Sequence, residues 1–309
     1  MLTIRVLGSA AGGGFPQWNC RCEGCRRARA GDPAATPRTQ SSLAVSGGDG
    51  RWLIINASPD IRQQLEAAPP LHPQHGIRHS PVAAVLLTNA DVDHITGLLT
   101  LREMQAFPVY ATERVHTIIG NNSVFNVLNS QMVARRVMAL NHPFVPSDAT
   151  NSPFPFEVEV FAVPGKVALW LEDSNAPNFG SVSEDTVAVM VTDRATGKRF
   201  FHIPGCAALP DWLGDRLRGT DLVFFDGTTW TEEEMIHADA GSKTAQRMGH
   251  MAMSGPDGSM AAFGTLGVGR KIYIHINNTN PVLLADSAQR AAAERAGWEI
   301  AFDGMEITL

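Results

Sequence analysis

In the stretch LLTNADVDHITGL an apolar run stops, Asn89, Asp91, Asp93 and His94 follow in quick succession, and a glycine-containing helical segment begins. Carboxylate oxygens and an imidazole nitrogen are divalent-metal donors, and strand ends in α/β folds are where ligands and metals collect. Alternation along an extended backbone puts Asn89, Asp91 and Asp93 on one side, with His94 turning back towards them at the helix start. An acidic cap at a helix N-terminus would explain one Asp. It does not explain two together with a His and an Asn. A second constellation, Cys20, Cys22 and Cys25, lies in WNCRCEGC. Thiolates this close meet on one ion only if the backbone turns tightly, and Gly24 helps it do so. The soft donors favour a structural zinc, with Zn–S distances of about 2.3 Å in tetrahedral geometry. The alternatives are three free cysteines or a local disulfide. A fourth ligand must come from elsewhere; Cys206 fits by type, although a lone cysteine beside Gly205 at a strand end also reads as merely buried.

These groups have to be positioned by a chain of 309 residues, 44% hydrophobic and 18% charged, with a formal net charge of −6. That composition is globular, and its acidic balance argues against bulk attraction to nucleic acid or an acidic membrane face. No basic leader segment and no window near ~20 apolar residues is present, so neither a signal peptide nor a membrane span is expected. Four cysteines, three of them clustered, suit a metal site in a reducing compartment better than a disulfide framework, which places the chain in the cytoplasm.

Strand-like and helix-like segments alternate throughout. LTIRVLG, SSLAV and RWLIINA read as strands, the last two joined by a turn at Asp49-Gly50. IRQQLEAA reads as a short helix and VAAVLLTNA as a buried strand. Helices are expected over Ile95–Phe107, Glu113–Ile119 and Ser130–Leu140. In the second half FEVEVFAV, TVAVMVTD, RFFHI, DLVFFDG and KIYIHI read as strands. Thr231 with Glu234 forms a capping-box signature, Pro281 suits the first turn of a helix running to Gly297, and WEIAF and MEITL close the chain. The pattern predicts an α/β fold of two packed mixed sheets covered by helices, as one domain over residues 1–309. The stretches Leu169–Asp185 and Asp239–Gly258 read as long loops, which in compact domains are usually functional or mobile. His202, near a strand end, is open between core and site. His72, His75 and His79 belong to the Pro-rich, solvated segment LHPQHGIRHS. Lys166, Arg270 and Lys271 are basic residues suited either to substrate carboxylates or to a solvated surface.

The stretch around His94 resembles the His-x-His-x-Asp-His signature of metallo-β-lactamase-fold hydrolases, with Asn89 and Asp91 in the first two histidine positions and Asp93 and His94 matching as they stand. YIHINNTNP resembles the last metal-histidine motif and implies His275. Asn56 in IINASPD stands where an acidic residue usually does. VPGKV, at Pro164–Lys166, lacks a further metal histidine, and Gly205 in FHIPGCAALP replaces the bridging aspartate. FDGMEI and the Cys-x-Cys-x-x-Cys loop resemble the cyclic phosphodiesterase branch, whose fourth zinc ligand is a histidine at the position of Asn278, a weak ligand for zinc. Asp226 in FFDGTTW and His250 in MGHMAM resemble a paired acid and histidine beside the site of related nucleases and phosphodiesterases, which implies a catalytic role. GSAAGGGFPQWNC, DHITGL, MGHMAMSGP and INNTNP together resemble a branch that serves pyrroloquinoline quinone (PQQ) biosynthesis, over essentially the whole chain.

The resemblance implies an αββα sandwich in which one of two metal positions has lost all its ligands while Asp93, His94 and His275 keep the other. Two imidazoles and a carboxylate with open positions suit Fe(II) oxygenase chemistry rather than two-metal hydrolysis. Asp91 joins as a further ligand or fixes an imidazole tautomer from outside. Asn89, Lys166 and Arg270 are the substrate-binding candidates. The implied activity is O₂-dependent hydroxylation of a tyrosine ring on a Glu-Tyr type, peptide-derived PQQ precursor. The alternative is a non-catalytic carrier of PQQ or its precursor towards the periplasm. The expected partners are thus the precursor and PQQ, without nucleic acid or membrane, and with self-association as a homodimer left open.

Overall fold

A computed structural model describes all 309 residues. The strands are β1 Thr3–Gly8, β2 Ser42–Ser46, β3 Trp52–Ile55, β4 Val82–Leu86, β5 Val109–Ala111, β6 Arg135–Val137, β7 Phe156–Ala162, β8 Val187–Asp193, β9 Arg199–Ile203, β10 Leu222–Asp226, β11 Arg270–Ile274, β12 Trp298–Ile300 and β13 Glu306–Thr308. The helices are α1 Glu23–Arg29, α2 Ile61–Glu66, α3 Val92–Ile95, α4 Glu113–Gly120, α5 Asp211–Leu217, α6 Glu234–His237, α7 Ser259–Ala262 and α8 Ala288–Arg295. One sheet runs β13-β1-β2-β3-β4-β5-β6 and the other β12-β11-β10-β9-β8-β7. In each, antiparallel strands at one side give way to parallel ones, β3 to β6 and β9 to β12.

Side-chain alternation sorts the residues into layers. Leu222 and Phe224 of β10 face the space between the sheets with Leu53, Ile55 and Ile272. Val223 and Phe225 point the other way, against α5 (Leu213, Leu217) and α8 (Ala293). Trp52 and Ile54 likewise turn outward onto α2 and α4, through Ile61, Val115 and Ile119. The core therefore has three parts, one between the two sheets and one between each sheet and its outer helices, the expected two-sheet sandwich. The Asp49-Gly50 turn joins β2 to β3 in register Val45↔Leu53, with Gly50 at φ +81°. No helix is long and apolar enough to cross a membrane.

Four local expectations are corrected. Ser130–Leu140 is not helical: its buried residues, Val133 and Met138, make no helical stripe, and the stretch supplies β6, paired with β5 through Val109↔Arg135. The helix expected over Ile95–Phe107 is one turn of α3 followed by a 3₁₀ turn, Thr96–Leu99. Gly97 presses there on the Ser58 carbonyl so closely that any Cβ would clash. Pro281 opens a 3₁₀ turn only; α8 starts after Ser287, whose hydroxyl accepts from the Arg290 N–H. Glu234 does not close a capping box, because its carboxylate turns inward to the Trp230 N–H and the Thr279 hydroxyl.

His202 belongs to the core. It is fully buried among Phe200 and Phe224, with neither ring nitrogen hydrogen-bonded. Burial pushes its pKa down to about 3. Below pH ~6.5 the unfolded chain binds a proton that the native ring refuses, so this ring costs stability progressively as pH falls from ~6.5 towards 3. His202→Leu should therefore show a flatter pH dependence. In urea unfolding at pH 7 and pH 5, its stability relative to the unmodified protein should improve by about 2 kcal/mol at the lower pH. An unchanged difference would mean that the ring is protonated in the native state.

Candidate metal centre

Strands β4, β9, β10 and β11 all end at the same edge of the sandwich, and the loops that follow them build a cleft of about 340 Å³. Asp93 and His94 sit in α3, just beyond β4, and His275 follows β11 in the left-handed region at φ +59°. A histidine in that conformation is held by its surroundings. The Ile276 N–H donates to the Ser9 carbonyl (3.0 Å), and the Gly227 N–H donates to the Ile274 carbonyl (2.8 Å). One donor atom from each of Asp93, His94 and His275 lies within 4.8 Å of the other two. His275 Nε2 is 3.1 Å and His94 Nε2 3.8 Å from Asp93 Oδ2. The glycine loop after β1 closes over this carboxylate: a Cβ on Gly12 would stand 3.4 Å from Asp93 Oδ2.

Ring orientation follows from the hydrogen bonds behind the cluster. His94 Nδ1 donates to Asn89 Oδ1 (2.7 Å), leaving Nε2 as a buried lone pair with no partner. His275 Nδ1 donates to Thr228 Oγ1 (3.0 Å), and that hydroxyl donates to Asp226 Oδ1 (2.7 Å), which turns Nε2 of His275 to the cluster, where it meets Asp93 Oδ2 at 3.1 Å. Burial holds the His94 pKa down and keeps it neutral. Burial opposes ionisation of Asp93, but the neighbouring His94 and His275 outweigh it and hold the carboxyl well below the usual range. For His275 burial is likewise outweighed, here by the Asp93 hydrogen bond and charge, and its pKa rises. A carboxylate and two imidazoles with an orphaned buried nitrogen among them fit a divalent ion, and these three residues would hold it.

Asp226 and His250 form a second layer. His250 Nδ1 donates to Asp226 Oδ2 (2.7 Å), which also accepts the Cys206 N–H, and the His250 ring stacks on His275 at 5.3 Å. Gly205 lies against His250, 3.7 Å from a would-be Cβ to Cε1, so the bridging carboxylate is missing by residue type and not by crowding. Asn56 ties the ends of β3 and β4 through the Thr88 N–H and hydroxyl. Thr228 is the group that sequence reasoning missed. Its only signal was its place two residues after Asp226.

Two expectations about the cleft, on Asp91 and Arg270, are corrected. Asp91 is not in the converging donor set: its carboxylate accepts from the Leu169 N–H (3.1 Å) and lies 3.9 Å from Lys166, so it anchors the following loop. Asn89 lines the cleft as expected, with its carboxamide oxygen accepting from His94 Nδ1. Arg270 starts β11 at the end away from His275, exposed and paired with Glu299 at 2.8 Å. Arg270→Ala should leave metal content and ligand affinity unchanged and alter stability by less than about 0.5 kcal/mol. A measurable loss of ligand affinity would restore it to the site. Lys166 does line the cleft.

Cys20, Cys22 and Cys25 are brought together in the loop and first turn of α1, their sulfurs within 4.8 Å of one another. The Asn278 carboxamide meets Cys20 Sγ (3.0 Å) and Cys25 Sγ (3.5 Å), three residues past His275. Cys206 lies elsewhere in the core, bonded to Ala208, and is excluded as the fourth ligand. Burial pushes the Cys22 thiol up to about 12, so a bound cation would be needed to hold it as thiolate. His72, His75 and His79 remain in an exposed loop.

Two mixed sheets with helices outside and a candidate metal-donor cluster at the strand ends define a metallo-β-lactamase-type fold. The family model for the β-lactamase superfamily domain matches residues 51–276. A coenzyme PQQ synthesis protein B from Methylobacterium sp. (strain 4-46) is 53% identical over 304 residues, 98% of this chain and 99% of the relative. The crystal structure of Zn²⁺-bound PqqB from Methylobacterium extorquens superposes with a TM-score of 0.94 at 50% identity, over 99% of this chain and 100% of that one. A diphosphatase of the PhnP family shares the fold at TM-score 0.68 and 20% identity, over 99% and 96%. The chain belongs to the coenzyme PQQ synthesis protein B family of the β-lactamase superfamily.

Proposed function

We propose that the protein acts in PQQ biosynthesis as a single-iron hydroxylase of a tyrosine ring on a small, Glu-Tyr type precursor, in the cytoplasm. The observation that carries this reading is the donor set: Asp93, His94 and His275 converge, while Asn89 and Gly205 stand where a two-metal hydrolase needs ligands. An Fe(II) held by the three residues would supply the capacity to activate O₂. The chain's own residues do the rest. Asn89 and Thr228 fix the two imidazoles with Nε2 turned to the cluster. His250, its Nδ1 proton given to Asp226, keeps a basic nitrogen suited to take the phenolic or ring proton. Leu169 and Met248 wall the cleft and limit water around the reacting ring. Overall, an aromatic C–H becomes C–OH and the second oxygen atom leaves as water, with two electrons and two protons from an added reductant. All four thiols are free, which suits a reducing compartment.

The test mixes iron-loaded protein, reductant and Glu-Tyr dipeptide under air and reads a mass gain of one oxygen. The same protein loaded with zinc should not turn over a cyclic phosphodiester; robust turnover abolished by His94→Ala would overturn the reading. Tight binding of PQQ or its precursor, with no oxygen incorporated under any metal, would support a carrier instead.

A further inference from the structure

We infer that Lys166, Lys243 and Arg247 form a carboxylate-binding subsite at the mouth of the cleft, and that Glu172 occupies it until a substrate carboxylate displaces it. The inference deepens the proposed function and rests on its reading of the cleft as a substrate site.

Arg247 grips Glu172 with both terminal nitrogens, at 2.7 and 3.3 Å, and Lys243 Nζ lies 3.2 Å from the same carboxylate. Lys166 Nζ stands 3.8 Å from it and 3.9 Å from Asp91, too far for a hydrogen bond to either. Three cations thus share two carboxylates, and one ammonium is left with only the Val167 carbonyl at 3.4 Å. The Arg247 hydrogen bond, burial notwithstanding, holds the Glu172 carboxyl below its ordinary range, so the carboxylate is charged. A tie between two loops needs one cation. Three cations against the two carboxylates of Glu172 and Asp91 leave one positive charge uncompensated, which a further anion would offset.

The position of the triad indicates that this anion is a ligand. Lys166 and Lys243 line the same cleft as Asp93, His94 and His275, and Glu172 itself is only 11% exposed behind them. Glu172 sits in the Leu169–Asp185 loop and its two strongest partners in the Asp239–Gly258 loop. The guanidinium of Arg247 also stacks on Phe179, 3.6 Å from the ring centroid, which would keep it in place when the carboxylate leaves. Glu172 is therefore an internal stand-in for the ligand. The fitting ligand is a small molecule with a carboxylate at one end and a group that reaches the metal cluster at the other, and a dicarboxylate best answers three cations.

Calorimetric titration of the full-length, metal-loaded protein tests this, with glutarate, its neutral diamide and Glu-Tyr dipeptide as probes. Glu172→Gln should tighten glutarate and the dipeptide about five- to tenfold and leave the diamide unchanged. Lys243→Met should weaken both carboxylates about tenfold, and added salt should weaken them further. Melting temperatures identify any variant that fails to fold, and Glu172→Ala then serves in place of Glu172→Gln. If folded Glu172 variants and Lys243→Met bind the carboxylates as the unmodified protein does, the subsite is wrong, even if the dipeptide is hydroxylated. If glutarate follows the expected pattern and the dipeptide neither binds nor reacts, the subsite stands and the tyrosine-substrate reading fails.

Discussion

Replacing His275 by alanine should strip the metal from the cleft and abolish hydroxylation together. The ring contributes Nε2, 3.1 Å from Asp93, and His94 is the other imidazole of that donor set. Loss of groups that merely orient a metal ligand costs roughly 10- to 100-fold in affinity, so loss of the ligand should exceed that range. Metal content after desalting and oxygen incorporation measured on one preparation check the result. The neighbouring substitutions sharpen it. Asp226→Ala and His250→Ala should keep the metal and slow turnover about 100-fold, as loss of a proton-transfer group does. Thr228→Val, which removes the hydroxyl beneath His275 Nδ1, should weaken metal binding about tenfold without emptying the site. Full metal retention and activity in His275→Ala would place the ion elsewhere.

A second large effect is expected at the cysteine loop. Cys22→Ser should lower zinc content by about one ion per chain and reduce thermal stability, because binding free energy at such a site is folding free energy. A loss of about 3 kcal/mol would lower the melting temperature by roughly 4–5 °C for a chain of 309 residues. The loop contributes Cys25 and Ala28 to the core between the second sheet and its helices, so the consequence reaches beyond α1. Asn278→His places a stronger donor beside the three sulfurs and should hold zinc against a chelator that strips the unmodified protein. Zinc stoichiometry indifferent to Cys22→Ser would rule the site out.

Residues close together in sequence were the legible part of the centre. Asp93 and His94 announce themselves because an apolar strand runs directly into acids and a histidine, and a strand end is a place where side chains escape the core. The cysteine loop is legible for the same local reason. His275 lies 182 residues from Asp93, and only its likeness to a family motif pointed to it. Lys243 and Glu172 carried no signal, since what matters about them is which group they face after two distant loops meet. Arg270 misled for the converse reason: a basic residue on a strand leading to His275 says nothing about which end of the strand it occupies. In the fold, strands with strict alternation, such as β10, were plain. Ser130–Leu140 was not, because β6 is a three-residue edge strand selected by pairing with β5 rather than by its own pattern.

The cluster draws Asp93 and His94 from the loop after β4 and His275 from the loop after β11, strands of different sheets. An ion there is consequently a clasp between the two halves of the sandwich. Its binding free energy is recovered only while both sheets keep their relative placement, so opening one half must also release the ion. Saturation should then slow hydrogen exchange in β4 and β11 alike, whereas a ligand resting on one sheet would protect that sheet alone. A filled centre would also set how far the two halves can breathe, which ties the supply of metal to the lifetime of the folded protein.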